Sequence, residues 1–156
     1  MSPTEPPSLA AGRRAGRDDA LALVRRALLK GERIDMQRFA QELDINRVTL
    51  YRWVGTRDQV VVEALWWLTE RVIGRWWSDL ADLEEPRVPR VLENWTRETV
   101  QTAGMRHFLH EESEWAMRLL TLSSGGFQPR LVALVGELIA ADIADGRVCS
   151  PLHLEE

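Results

Sequence analysis

Four side chains able to bind metal or move protons stand close together in this sequence: His107, His110, Glu111 and Glu114. At three- and four-residue spacing on one helix they would share a face, which suits a divalent ion. Yet His-x-x-His-Glu matches neither the His-Glu-x-x-His pattern of zinc hydrolases nor its inverted form, so hydrolysis has no motif behind it. The plainer reading is a solvated acidic face with one buried histidine, and a histidine there could also meet a small ligand. Cys149 stands alone, which excludes an internal disulfide framework and a cysteine-based zinc ribbon. With no Gly-rich phosphate loop either, the expectation is a protein that is not an enzyme and carries no metal or cofactor.

A second group of side chains suits recognition. Asp35 can cap a short helix that buries Phe39, Ala40 and Leu43, and Asn46 can cap another from Arg47 to Trp53, closed by Gly55. Two such helices cross steeply only where their contact is small. Ala40 supplies that contact, Ile45 plugs the turn and Leu50 anchors the second helix from inside. These are the requirements of a helix-turn-helix, whose second helix enters the DNA major groove. Its outward face would carry Arg47, Val48, Thr49, Tyr51 and Arg52. Arg47 can pair with guanine and Val48 can touch a thymine methyl, while the Thr49 and Tyr51 hydroxyls can reach phosphates. Arg57 opens the next helix, where backbone N–H groups also favour a phosphate. The alternative is two amphipathic helices that merely pack, with solvated arginines.

The elements around this segment are helical too. Asp18 and Asp19 introduce a helix carrying Leu21, Val24, Ala27 and Leu28, with Lys30 in its last turn and Gly31 beyond. Thr56 and Gln59 form a capping box ahead of a long apolar run. Val61, Ala64, Leu65, Leu68 and Val72 predict a helix to about Ala81, about 37 Å at 1.5 Å per residue and long enough to join two domains. Residues 83–89 read as a loop. Helices follow over 89–103, over 105–122 (which carries the His/Glu cluster) and from Pro129 to a stop at Gly146. No strand pair appears, so the fold is all-α: an arm at 1–16, a helix-turn-helix domain at 17–56 and a helical domain at 57–156.

Charge divides along the same line. Residues 1–60 hold 11 basic and 8 acidic side chains, and residues 61–156 hold 9 and 16, within a total of −4. A positive first part on an acidic body suggests that one end meets a polyanion. Hydrophobic residues make up 45% of the chain, enough to bury a core, and no stretch approaches a membrane span. The first sixteen residues bear three prolines and no apolar signal segment, so a soluble cytoplasmic protein is expected. Two compositional oddities remain: 19 of the 20 basic residues are Arg, and six of the seven Trp lie beyond residue 60.

The segment RIDMQRFAQELDINRVTLYRWVGTRDQVVVEAL, Arg33 to Leu65, resembles the DNA-binding domain of tetracycline-repressor (TetR) family regulators. The Thr-Leu-Tyr-Arg-Trp run is its most specific part. Most members have Gly where this chain has Asp44, which also tolerates the left-handed conformation. The resemblance implies base readers at Arg47 and Val48 and phosphate contacts at Thr49, Tyr51, Trp53 and Arg57. It also places Arg13, Arg14 and Arg17 near the adjacent minor groove. The segments VVVEALWWLTERVIGRWW, MRHFLHEESEWAMRLLT and FQPRLVALVGELIAADIADGRV resemble one branch, associated with quorum-sensing lactone degradation.

That branch implies a ligand-responsive repressor with a small apolar, lactone-bearing effector. Trp66, Trp67, Trp76, Trp77, Trp95 and Trp115 could wall an aromatic cavity for it, and Trp67, Trp95, Trp115 and His107 are the ligand candidates. Family members act as homodimers on operator DNA, through a bundle of two C-terminal helices from each subunit. Members of the branch continue past Leu152 into another apolar helix. Here the sequence stops at Glu156, which implies a dimer interface and pocket wall cut short. Two other readings compete: a truncated paralogue acting by protein-protein contact, and a metal-binding protein using the His107/His110/Glu111/Glu114 face.

Overall fold

The computed structural model describes residues 14–121 and 126–148; the proline-bearing arm up to Arg13 and Cys149 lie outside them. The described residues form eight α-helices and no strand: α1 Arg17–Lys30, α2 Met36–Glu42, α3 Arg47–Val54, α4 Arg57–Asp79, α5 Arg87–Gln101, α6 Ala103–Glu111, α7 Ser113–Thr121 and α8 Phe127–Ala144. The all-α expectation is met.

Local chemistry sets the first four boundaries. At the start of α1 the Gly16 N–H donates to the Asp19 carboxylate at 2.8 Å, and Gly31 ends the helix with a φ of 68°. The Asp35 carboxylate accepts from the backbone N–H of Gln37 at 2.9 Å and of Arg38 at 3.2 Å. Those bonds, Arg38 foremost, hold its pKa below the ordinary value. The Asn46 side chain accepts from Thr49 N–H at 2.7 Å. Thr56 and Gln59 satisfy each other's backbone N–H groups, at 2.8 and 3.2 Å. All three sequence-expected caps are in place.

Helix α4 is the spine. Its 23 residues span about 35 Å, ending two residues before the expected Ala81. Val60, Val61 and Val62 are all buried: α1, α7 and α8 pack against α4, and Asp58, Glu63 and Trp66 of α4 meet Trp115, Arg130 and Phe127. That enclosure explains an apolar run that would otherwise suit a strand. The following loop falls at residues 80–86, earlier than the expected 83–89.

Two features depart from the sequence reading. The single helix expected over 105–122 is two, because Glu112 (φ −113°, ψ 34°) leaves helical geometry. The Glu112 carbonyl accepts from Ala116 N–H at 2.8 Å to start α7, and its carboxylate is drawn toward Arg57. The second is a buried ion pair far along the chain from α2 and α3. The Asp142 carboxylate, on α8, accepts from the Arg87 Nε at 2.9 Å and from the backbone N–H groups of Arg87 and Val88 at 2.7 and 3.1 Å. It thereby caps α5, whose own N-cap residue, Pro86, offers no side-chain bond. The same guanidinium reaches Asp145 at 2.6 Å and lies 3.7 Å from the Trp77 ring centroid.

Burial alone would push Asp142 up, but the Arg87 side-chain bond, the two backbone bonds and the Arg87 charge together hold it below the ordinary carboxylate value. Its contribution to stability is therefore complete above the unfolded-state pKa, about 4. It is lost as pH falls through the lowered native value. Asp142→Ala should cost about 3 kcal/mol in urea denaturation, because it leaves the buried Arg87 with only the half-exposed Asp145 and uncaps the backbone N–H groups of Arg87 and Val88. The same variant should lose part of the wild-type sensitivity to acid below about pH 4.

Candidate nucleic-acid interface and effector cavity

The α2–turn–α3 segment presents one helix outward. Leu50 and Val54 are buried beneath α3, and Ala40 packs close on α2. The turn is held by Ile45 N–H donating to the Ala40 carbonyl at 3.0 Å, and Asp44 takes the left-handed conformation with φ 53°. On the outer side Val48 is 77% exposed, a large apolar side chain with no internal reason to face water. Arg47 and Arg52 are exposed beside it. Arg47 Nη2 donates to the Tyr51 hydroxyl at 3.1 Å and its guanidinium lies 5.3 Å from the Tyr51 ring centroid. That bond raises the pKa of an already charged group. Thr49, Tyr51 and Trp53 are half-buried along the flanks, and the Trp53 carbonyl accepts from Arg17 Nε at 3.1 Å. Arg14 is exposed just ahead of α1, while Arg13 lies outside the described residues.

Arg57 sits differently from its expected place on a phosphate. Its Nε donates to the Ile34 carbonyl at 3.1 Å and its Nη2 to Glu112 at 3.1 Å. The guanidinium also stacks 3.7 Å from the centroid of Trp115. Next to it, Asp58 accepts from Trp115 Nε1 at 2.8 Å and from Arg118 at 3.2 Å. The first turn of α4 thus grips the α6–α7 break. Arg57 is a joint between the helix-turn-helix head and the helices behind it.

The His/Glu constellation comes apart for the same reason. His107, His110 and Glu111 lie on α6 and Glu114 on α7, across the break, and all four are exposed. Among the described residues no group of three or more His, Cys, Asp or Glu side chains could hold a metal ion. His107 packs beside Gly31 at the end of α1, where a Cβ added to Gly31 would lie 3.2 Å from the histidine Cβ. It is not among the residues that line the apolar cavity between α4, α5, α6 and α8.

An apolar cavity of about 330 Å³ lies between α4, α5, α6 and α8. Of the expected aromatic wall only Trp95 lines it. Trp67 is 40% exposed between Arg25 and Arg71, at 4.2 and 5.3 Å, and Trp115 is taken by Asp58 and Arg57. Trp66 packs edge-on against Phe127 at 6.1 Å, the Trp76 N–H donates to Glu98 at 3.1 Å, and Trp77 lies under Arg87. The walls come instead from aliphatic side chains such as Leu65, Leu68, Val72, Met105 and Leu109, with a polar strip of Thr69, Glu98, Thr99 and Thr102. Glu98, Thr99 and Thr102, at helical spacing beside Trp95 on an otherwise polar α5, were the sequence signal for this wall.

Residues 85–156 match the family model of the tetracyclin repressor-like C-terminal domain. The structure is similar to that of QsdR, described as a transcriptional repressor of R. erythropolis from the TetR family. The TM-score is 0.78 at 24% identity, over 87% of this chain and 72% of that one. No curated protein matches the chain. The helix-turn-helix and the helices behind it therefore have the TetR fold.

The left-handed Asp44 marks the one strained point of the recognition turn. Asp44→Gly should stabilise the chain by about 0.5–1 kcal/mol in urea denaturation, since glycine carries no Cβ penalty there.

Proposed function

We propose that the chain is a TetR-family regulator, a reading supported by its fold and by the match of residues 85–156, and that it is a ligand-responsive repressor that binds operator DNA as a homodimer. The observation that carries the DNA reading is the outer face of α3: Arg47, Val48 and Arg52 stand free of the core on a helix capped at its start. Arg47 and Val48 are the proposed base readers, with Thr49, Tyr51, Arg52 and Trp53 positioned for the flanking phosphates. The cavity supports an effector that is small and largely apolar, as a lactone bearing an alkyl chain would be.

The route between the two sites follows α6. Met105 and Leu109 reach the cavity from α6, the helix's first turn lies on the end of α1, and its last residues meet Arg57 through Glu112. An effector that needs more room than the empty cavity shifts α6, and through Arg57 the start of α4. In a dimer that changes the spacing of the two recognition helices.

Dimerisation has a proposed surface on α8. Val132, Gly136, Ile139 and Ile143 recur at alternating four- and three-residue steps, and each is exposed. Val132 is 65%, Ile139 42% and Ile143 44% exposed. This is the seam spacing of helices that pack side by side.

Binding-site selection from random duplex DNA followed by salt titration tests the DNA reading. Arg47→Ala should relax preference at one base pair by about 1–3 kcal/mol. A protein that selects no sequence and shows no salt dependence would sink the proposal. Arg57→Ala should leave the slope of log K against log salt nearly unchanged, where loss of a phosphate contact would lower it by about one unit. For the dimer, sedimentation equilibrium at micromolar concentration should show two chains for the wild type and one for Ile139→Asp. A monomeric wild type would rule out the α8 seam.

A further inference from the structure

Arg47 occupies an unfavourable place for a base reader. It is the first residue of α3, where unsatisfied backbone N–H groups make the positive end of the helix and repel a cation. Its side chain is exposed, long and rich in rotamers. Tyr51, one turn on, is half-buried and packs against the core. The Arg47 guanidinium lies at the hydroxyl end of that ring, Nη2 donating at 3.1 Å with the ring centroid 5.3 Å away. Both residues share a groove with Asp35, the only carboxylate among the described residues that line it. The Arg47 cation is stabilised most by the Tyr51 hydroxyl bond and more weakly by the charge of Asp35. Asp35 already accepts from the Gln37 and Arg38 N–H groups as the cap of α2, and a carboxylate has further lone pairs to offer a guanidinium.

Resting on the DNA reading proposed above, we infer that Tyr51 is a positioning residue for sequence recognition, its hydroxyl holding Arg47 off Asp35 so that the base reader is formed before DNA arrives. A guanidinium paired with Asp35 has its charge cancelled and its planar fork occupied. Bonded to a neutral hydroxyl through one N–H, it keeps its charge and its remaining donors for the O6 and N7 edge of a guanine. Ordering it on a ring that the core already fixes also removes part of the entropy that binding would otherwise cost. The same bond polarises the hydroxyl, because an oxygen that accepts from a cation donates its own proton more strongly. That proton suits the adjoining phosphate, so one oxygen links the base reader to the DNA backbone and fixes the register of the two contacts.

Selection from random duplexes with the full chain supplies a preferred site, and Arg47→Ala identifies the base pair whose preference it relaxes. There the wild type should favour the selected base by about tenfold or more. Tyr51→Phe keeps the ring on the core and should lower that ratio about fivefold, with the ratios at other base pairs unchanged. Adding Asp35→Asn, which keeps the helix cap and removes the competing charge, should restore most of the lost ratio. In the Arg47→Ala background Tyr51→Phe should leave the ratio as it is. If Tyr51→Phe weakens every duplex alike and the ratio survives, the inference is overturned and Tyr51 is a plain phosphate contact. A lost ratio that Asp35→Asn does not restore overturns it as well. Should the wild type select a sequence while Arg47→Ala relaxes no base pair, Arg47 is not a reader and the inference fails with the DNA reading intact. A wild type that selects no sequence removes both.

Discussion

The approach of α6 to the carbonyl end of α1 is the contact on which the rest of the arrangement depends. A Cβ on Gly104 would lie 2.1 Å from the Leu28 carbonyl oxygen and 2.3 Å from that of Leu29. Only a residue without a side chain lets the start of α6 rest there. Once it does, Phe108 is buried and Met105 and Leu109 face the cavity. The far end of the helix then arrives at Arg57, where Glu112 ends it. Head and body thus share one helix as a common wall, fixed at one end by backbone contact and at the other by a half-exposed ion pair. The first end has no slack, whereas the second can exchange its partners for water at small cost.

The two oddities of composition are one feature. Arginine guanidinium groups lie over the rings of Trp66, Trp67, Trp76, Trp77 and Trp115. A planar, weakly hydrated cation can cover an indole where a lysine ammonium would stay in water. This lets tryptophans sit at helix surfaces with one face in the core and the other under arginine. It also explains why the aromatic residues that looked like a ligand cage are mostly spent elsewhere, leaving Trp95 at the cavity.

What was legible in the sequence was local. Asp35, Asn46 and the Thr56/Gln59 pair act on backbone groups within three residues, so spacing alone identifies them. Asp44 is similar, since its left-handed φ is required by the two helices flanking it. Residues 105–122 read as one helix because their apolar period runs across Glu112, and the partner that breaks it, Arg57, is 55 positions away. The Arg87–Asp142 pair is separated by the same distance in sequence and likewise has no local signature. His107 failed as a ligand residue because a shared helix face does not say which way that face points.

Net charge says little about where DNA could be met; the pairing of charges says more. On α1 and α2, Arg26 pairs with Glu42, and Arg38 with Glu32 at 2.9 Å. Those arginines are balanced at short range and contribute little field at a distance. Arg17, Arg47 and Arg52 have no carboxylate partner among the described residues; Arg17 instead leans on the Trp53 carbonyl and Arg47 on the Tyr51 hydroxyl. Both of those bonds join neutral acceptors and leave the positive charge uncancelled. Part of the uncancelled charge of the first sixty residues therefore lies on and beside α3 although the chain as a whole is acidic. Arginines left without a carboxylate on and beside one outward helix supply the charge that can orient a polyanion along that helix.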